Sequence, residues 1–313
     1  MVRQYSYAPA VFALAAVLFA AFLLIPADAA AAAGKQGVFA SPDAAIEALV
    51  KAAGENNTQE LLRLFGPGSR SLVSSGDPVE DRQHREQFVK SYQEKHYLET
   101  GTDGKITLFV GNNDWPMSIP IVKAGSRWRF DTEAGKKEIL CRRIGRNELG
   151  AIQVILAIAD AQREYSDRMR QKTGQPEYAQ KFVSEPGKED GLYWVTSPDG
   201  KPSPLGVLAA RASAEGYHNS VGGKEPYHGY LYRLLKSQGK HAEGGAFSYV
   251  VNGKMIGGYA LIAYPAAYRS SGVRTFIVNY DGVVYGKDLG KKTASRAASM
   301  SSFDPDDTWK KVQ

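Results

Sequence analysis

A single cysteine, Cys141, occurs among the 313 residues, which excludes an intramolecular disulfide and every multi-cysteine zinc or iron–sulfur site. Also missing are a Gly-x-Ser-x-Gly nucleophile elbow, a His-Glu-x-x-His zinc helix, a phosphate loop and a paired-glycine dinucleotide turn, so no cofactor is implied. Charge of one sign is in short supply: 39 Lys and Arg against 33 Asp and Glu leave a net +6. The one basic patch, Arg142-Arg143 with Arg146, is too short for nucleic-acid binding and reads as a solvated helix face. What remains is a chain that is 43% hydrophobic and 23% charged, long enough for about two domains resting on packed cores.

The only long apolar run is at the start. Met1 to Tyr7 carry Arg3 and no acid, Ala8 to Ile25 carry no charge, and Pro26-Ala27-Asp28-Ala29 ends the run in small residues. A basic start, an apolar middle and small residues at the close make residues 1–33 a secretory signal, with cleavage after Ala29 or Ala33. An uncleaved membrane anchor is the alternative, since the run just reaches spanning length. Both place the rest of the chain in the periplasm or cell envelope, and any membrane contact would come through this segment alone.

The remainder reads as α+β. Ser41-Pro42-Asp43 is a helix start, with cap, first-turn proline and acid in order, and Ala45, Ile46, Leu49, Val50 and Ala53 follow at helical spacing up to Gly54. Gln59 to Phe65 and Val79 to His96 are further helices; Lys105 to Val110 is a strand, and Ile119 to Lys123 with Trp128 to Phe130 forms a hairpin. Residues 38–135 thus make a first module of helices plus an antiparallel hairpin sheet. Residues 136–313 make a second, opening on a long helix from Glu138 to about Gln171 in which Gly145 and Gly150 mark a hinge or a break between two helices. A loop-rich stretch, Thr173 to Lys224, carries one helix at Pro204 to Glu215. An antiparallel meander of four or five strands closes it: Tyr227–Lys236, Phe247–Val251, Lys254–Tyr264, Val273–Asn279 and Val283–Tyr285, with Asn252-Gly253 as a tight turn and Phe303 and Trp309 pinning the tail.

Catalytic constellations are not legible, and no catalytic residue is assigned. Ser237-Gln238-Gly239-Lys240 has the spacing of a serine–lysine pair, but glycine argues against the helix such a pair needs. Cys141 reads as a small core residue of a helix, and His84 and His96 as solvated positions on a charged one. His218 and His228 with Glu225 have the residue types of a metal site without its spacing, so no metal ligand is assigned; the plainer reading is a polar loop entering a strand. Ten of the seventeen tyrosines lie between Tyr217 and Tyr285. Tyr227, His228, Tyr230 and Tyr232 are the candidate binding residues, as an aromatic face for a glycan or an envelope protein; strand propensity is the competing explanation.

Several runs carry a resemblance: Ser74-Ser75-Gly76-Asp77-Pro78-Val79, Asp114-Trp115-Pro116, Trp128-Arg129-Phe130-Asp131-Thr132 and Arg143-Ile144-Gly145-Arg146-Asn147-Glu148. With Pro226-Tyr227-His228-Gly229-Tyr230 and Tyr249 to Gly258, they make the chain resemble the bacterial family called domain of unknown function 2950. That resemblance implies an exported protein and brings no activity with it. The first module is similar to the cone of nuclear transport factor 2 relatives, which implies a small-ligand carrier if the cone is hollow. The second is similar to pilin and pseudopilin heads, although no processed glycine–phenylalanine junction precedes its helix. Fold likeness does not transfer function; the reading is a non-enzymatic binding or assembly module, with a hydrolase using His228 or Ser237 as the alternative.

Overall fold

A computed structural model describes residues 35–196, 200–218 and 225–312; the signal expected over residues 1–33 lies outside the described residues. Helix α1 (Pro42–Gly54) starts as the sequence predicts, Ser41 Oγ accepting from the Ala44 amide at 3.1 Å, and buries Ala45, Ile46 and Leu49. Helices α2 (Thr58–Phe65), α3 (Arg70–Val73) and α4 (Pro78–Glu94) follow. Strands β1 (His96–Thr100), β2 (Ile106–Val110), β3 (Trp115–Pro116), β4 (Ile121–Ala124) and β5 (Arg127–Phe130) form one antiparallel sheet ordered β1-β2-β4-β5, with β3 beside β2. Strand β1 is an addition to the expected set. Its exposed, charge-bearing sequence has no alternating apolar signal, and it holds its place by full backbone pairing with β2.

The long helix α5 spans Thr132–Thr173 without a break and begins before the expected Glu138. Gly145 has open space around its Cα, so a glycine there weakens the helix without kinking it, and Gly174 in the left-handed region ends it. Helix α6 (Gly206–Ala214) is the short helix expected in the loop-rich stretch. Strands β6 (Tyr230–Leu235), β11 (Ala260–Pro265), β12 (Arg274–Asn279), β13 (Tyr285–Asp288) and β14 (Lys310–Lys311) form a five-stranded antiparallel sheet in that order. Two short pairs are inserted between β6 and β11: β7 (Ser237–Gln238) with β8 (Phe247–Ser248), and β9 (Val250–Val251) with β10 (Lys254–Met255). Asn252 and Gly253 take φ of 49° and 78° in the β9–β10 turn, as a two-residue hairpin requires. The expected strand Lys254–Tyr264 is split because Gly258 sits at φ 134° against the rings of Tyr280 and Tyr249, where a Cβ would clash. Helix α7 (Thr293–Ser299) precedes the tail, which Phe303 and Trp309 pin as expected.

Lys35–Gln313 is one compact unit holding two hydrophobic cores. The first gathers α1 to α3 with β2, β4 and β5 around Phe130, Leu64, Leu108 and Ile121. The second packs the middle of α5, from Ala151 to Tyr165, on β6, β11 and β12. Helix α5 touches both, since Ile139 and Leu140 pack on the first core. No helix among the described residues is long and apolar enough to cross a membrane.

Polar ties join the cores. Arg143 donates to the Ser71 and Leu72 carbonyls at 2.7 and 2.6 Å, and Ser270 Oγ reaches Ser74 O at 3.1 Å. Deepest is Asp77, fully buried: Oδ1 caps α4 through the Val79 and Glu80 amides at 3.2 and 3.1 Å. Its Oδ2 accepts from Tyr217 Oη at 3.0 Å and the Gly229 amide at 2.9 Å, both on the second core's side. Replacing Asp77 by Ala strands four donors, and we expect a loss of about 3–5 kcal/mol in chemical denaturation. Asp77→Asn keeps the cap but sets an amide N–H group against Gly229 N–H, and is expected to lose stability while retaining helix content by circular dichroism.

Candidate functional site

Tyr227 and Tyr230 exchange backbone hydrogen bonds, Tyr227 N to Tyr230 O at 2.8 Å and back at 3.2 Å, so His228-Gly229 is a two-residue turn. Both turn residues have positive φ, 50° and 73°, the requirement of a type I′ turn. Gly229 is obligatory there: besides its φ, a Cβ would lie 2.5 Å from Asn147 Nδ2. Histidine at positive φ is uncommon and strained, and the Asp77 bond to Gly229 holds the turn in place. The tip of this turn meets α4, α5 and α6 where the two cores join.

There it borders a cleft of about 590 Å³ lined by Glu80, His84, Arg146, Arg211, Tyr227 and His228, among others. Gly150 on α5 faces His228, so the helix presents no side chain against the imidazole. Glu215, the residue after α6, organises one wall: Oε1 pairs with Arg211 Nε at 3.0 Å, while Oε2 accepts from Tyr227 Oη at 2.9 Å and lies 3.4 Å from His228 Nε2. The Tyr227 ring packs against the imidazole at 4.1 Å. Glu80 forms the opposite wall, almost fully buried, with Asn147 Nδ2 at 3.2 Å, Arg146 at 3.5 Å and His84 Nε2 at 3.9 Å.

Burial and the neighbouring Asp77 push the Glu80 carboxyl up, against the pull of Arg146, Asn147 and Arg143. Desolvation pushes His228 down, partly offset by Glu215, and His84 falls for the same first reason, reinforced by Arg146 and Arg143. Burial thus disfavours the charged form of both imidazoles and of the Glu80 carboxyl. Such an arrangement can accept or donate a proton to a bound polar molecule.

The expected aromatic face is corrected. Tyr230 and Tyr232 are core residues whose hydroxyls donate to Arg274 O and Tyr227 O, and Tyr227 shows the cleft only part of itself. Of the ten clustered tyrosines six are buried and four half-buried, because a broad ring with one polar tip fills the space between sheet and helix and still satisfies its hydroxyl. Of the four candidates only Tyr227 and His228 line the cleft. Its acid is Glu215 and not Glu225, while His218 is exposed beside an inward-turned Tyr217. Among the described residues no three His, Cys, Asp or Glu side chains are grouped to hold a metal ion. Ser237 lies on β7 and donates to Ser301 O, so no helical turn brings Lys240 to it. Cys141 is exposed on α5 and not in a core. His96 sits at the start of β1, stacked on Tyr92 at 3.7 Å.

Glu80, Arg211 and Glu215 were not singled out from sequence, and Asp77 only as the Asp-Pro start of a helix and part of a resembling run. The available signal was the turn chemistry of Tyr-His-Gly-Tyr, an x-Gly pair between aromatic residues that reads as a hairpin tip. A larger groove, about 1000 Å³, runs beside the end of α5 and Trp194, but its walls hold exposed ion pairs, Lys188 with Glu185 and Lys172 with Glu189.

The pH dependence follows from the two imidazoles. Folding holds both below their unfolded value, so protonation opposes folding: stability is complete above about pH 7 and declines as pH drops through about 6.5. Glu80, shifted up, acts in the opposite sense at lower pH. We expect the melting temperature to fall from pH 7 to pH 5, and to fall less in a His84→Gln, His228→Asn double variant, asparagine preserving the turn. An equal fall in both proteins would show that these histidines are not its source.

No curated protein and no solved structure matches the chain. A family model described as "Protein of unknown function (DUF2950)" matches residues 36–312, that is, both cores and the cleft between them. The chain belongs to this family.

Proposed function

We propose that the chain is an exported protein of the bacterial envelope whose folded part binds a small polar ligand in the cleft between the two cores. The observation that carries the reading is His228, a turn residue at positive φ that lines the cleft, with its ring held between Glu215 and Tyr227. Arg146 and Arg211, with side chains 59% and 66% exposed, make an anionic or hydroxyl-rich ligand the best fit. Export rests on residues 1–33, which have the order of a secretory signal.

The second reading, hydrolysis, is favoured by one feature: a neutral imidazole beside a carboxylate is the pair a general base needs. Against it stands the lack, among the described residues lining the cleft, of a Ser, Thr, Cys or Lys nucleophile.

Two measurements test the proposal. Fractionation and N-terminal sequencing of the protein from its source cells are expected to find it in the envelope, starting after Ala29 or Ala33; a cytoplasmic protein beginning at Met1 would refute export. Histidine ring NMR signals recorded with acetate, inorganic phosphate or N-acetylglucosamine at millimolar concentration are expected to move for His228 with at least one of them, the response dropping at least tenfold in Glu215→Gln. If none moves His228, the cleft is not a binding site for these chemistries. Turnover of p-nitrophenyl acetate that vanishes in His228→Asn would favour the hydrolase.

A further inference from the structure

A second cavity adjoins the cleft. It is an open pocket of about 260 Å³ at the first core, walled by Leu49, Leu61, Phe65, Phe88, Met117 and Ile139 among others, and His84 borders both spaces. The two spaces lie side by side between the same two helices. Along α4, Glu80 and Gln83 line the polar cleft, Asp81, Arg85 and Phe88 line the apolar cavity, and His84 lines both. Along α5, Ile139 and Arg143 line the cavity and Arg146 to Gln153 line the cleft. A polar space and an apolar one thus meet at His84.

The charged residues divide in the same sense. At the apolar end every one is consumed within the protein. Asp81 accepts the Ser75 amide on both oxygens at 3.0 Å, Arg85 donates to Val73 O at 2.7 Å, and Arg143 gives both terminal nitrogens to carbonyls. What they turn to the cavity is hydrocarbon. At the polar end, among the described residues, Arg146 makes only the 3.5 Å contact with Glu80 and Arg211 uses only Nε, which leaves their terminal donors to a ligand.

Resting on the cleft as a binding site, we infer that the ligand is an amphipathic monoanion: a carboxylate head between Arg146 and Arg211 and an unbranched alkyl tail in the cavity beneath His84. A cavity of about 150 Å³ accepts benzene, so this one takes a tail of about six to eight carbons. Guanidinium pairs favour carboxylate over amine or alcohol, and a dry apolar wall favours a chain over water.

The test uses the purified full chain and a series of linear carboxylates, acetate to dodecanoate, titrated calorimetrically. Affinity is expected to rise about three- to fourfold per methylene, the value of burying a CH₂ group, and to level off near octanoate. Octylamine and octanol are expected to bind at least tenfold more weakly than octanoate. Ile139→Trp, filling the cavity from α5, is expected to bring octanoate down to the level of acetate while the acetate response at His228 persists. Met117→Trp fills the same space from the sheet side and serves if the first variant melts early. Arg146→Gln with Arg211→Gln is expected to abolish the preference for octanoate over octanol. Acetate moving His228 with no gain from chain length would overturn the amphipathic ligand and leave the cleft standing; no response at His228 to any member would overturn both.

Discussion

The carboxylate of Asp77 is the point at which the two halves of the molecule become one. Each core can form from local information, since one gathers helices on a hairpin sheet and the other lays a helix on a meander. Neither dictates where the other sits. A fully buried charge with four donors does, because its desolvation is tolerable only when all four are in place, two from α4 and two from the far side. Glu80 to Asn147 and Arg143 to Ser71 and Leu72 repeat the device at lower stakes. Specific polar bonds hold this junction in register, as an apolar seam of the same area would not.

The same constraint creates the cleft. Gly229 must present its amide to Asp77, so the turn Tyr227 to Tyr230 enters with His228 at its tip, forced to positive φ and facing α5. Glu80 follows Asp77 by three residues on the capped first turn of α4, which places its carboxyl at the same junction from the other side. Position thus precedes chemistry: a structural carboxylate fixes the turn, and the turn delivers the imidazole. The perturbed groups gather there because water is scarce between two cores, and Glu215, Arg211 and Arg146 supply the charges that remain.

Helix α5 gives the site its length. Forty-two residues without interruption pass from one core to the other, so one helix lines the apolar cavity through Ile139 and Arg143 and the polar cleft through Arg146 to Gln153.

Much of the architecture could be read from residue order. Capping signals placed α1 and α4, helical spacing placed the body of α5, and Asn252-Gly253 placed a hairpin, because each is a local contest between backbone and side chain that neighbouring residues decide. Strand β1, the split at Gly258 and the true strand limits were not readable, since pairing with β2 and the approach of Tyr280 come from distant residues. For the site the division is sharper. Sequence identified His228 and the tyrosine cluster as residue types and the family as a pattern. Only tertiary structure sent Tyr230 and Tyr232 into the core, brought Glu215 to His228 across thirteen residues, and set Glu80 against Asn147 across sixty-seven. Burial, and the partner each polar atom finds within it, is a property of the assembled molecule; local order proposes the side chains and packing decides which of them meet.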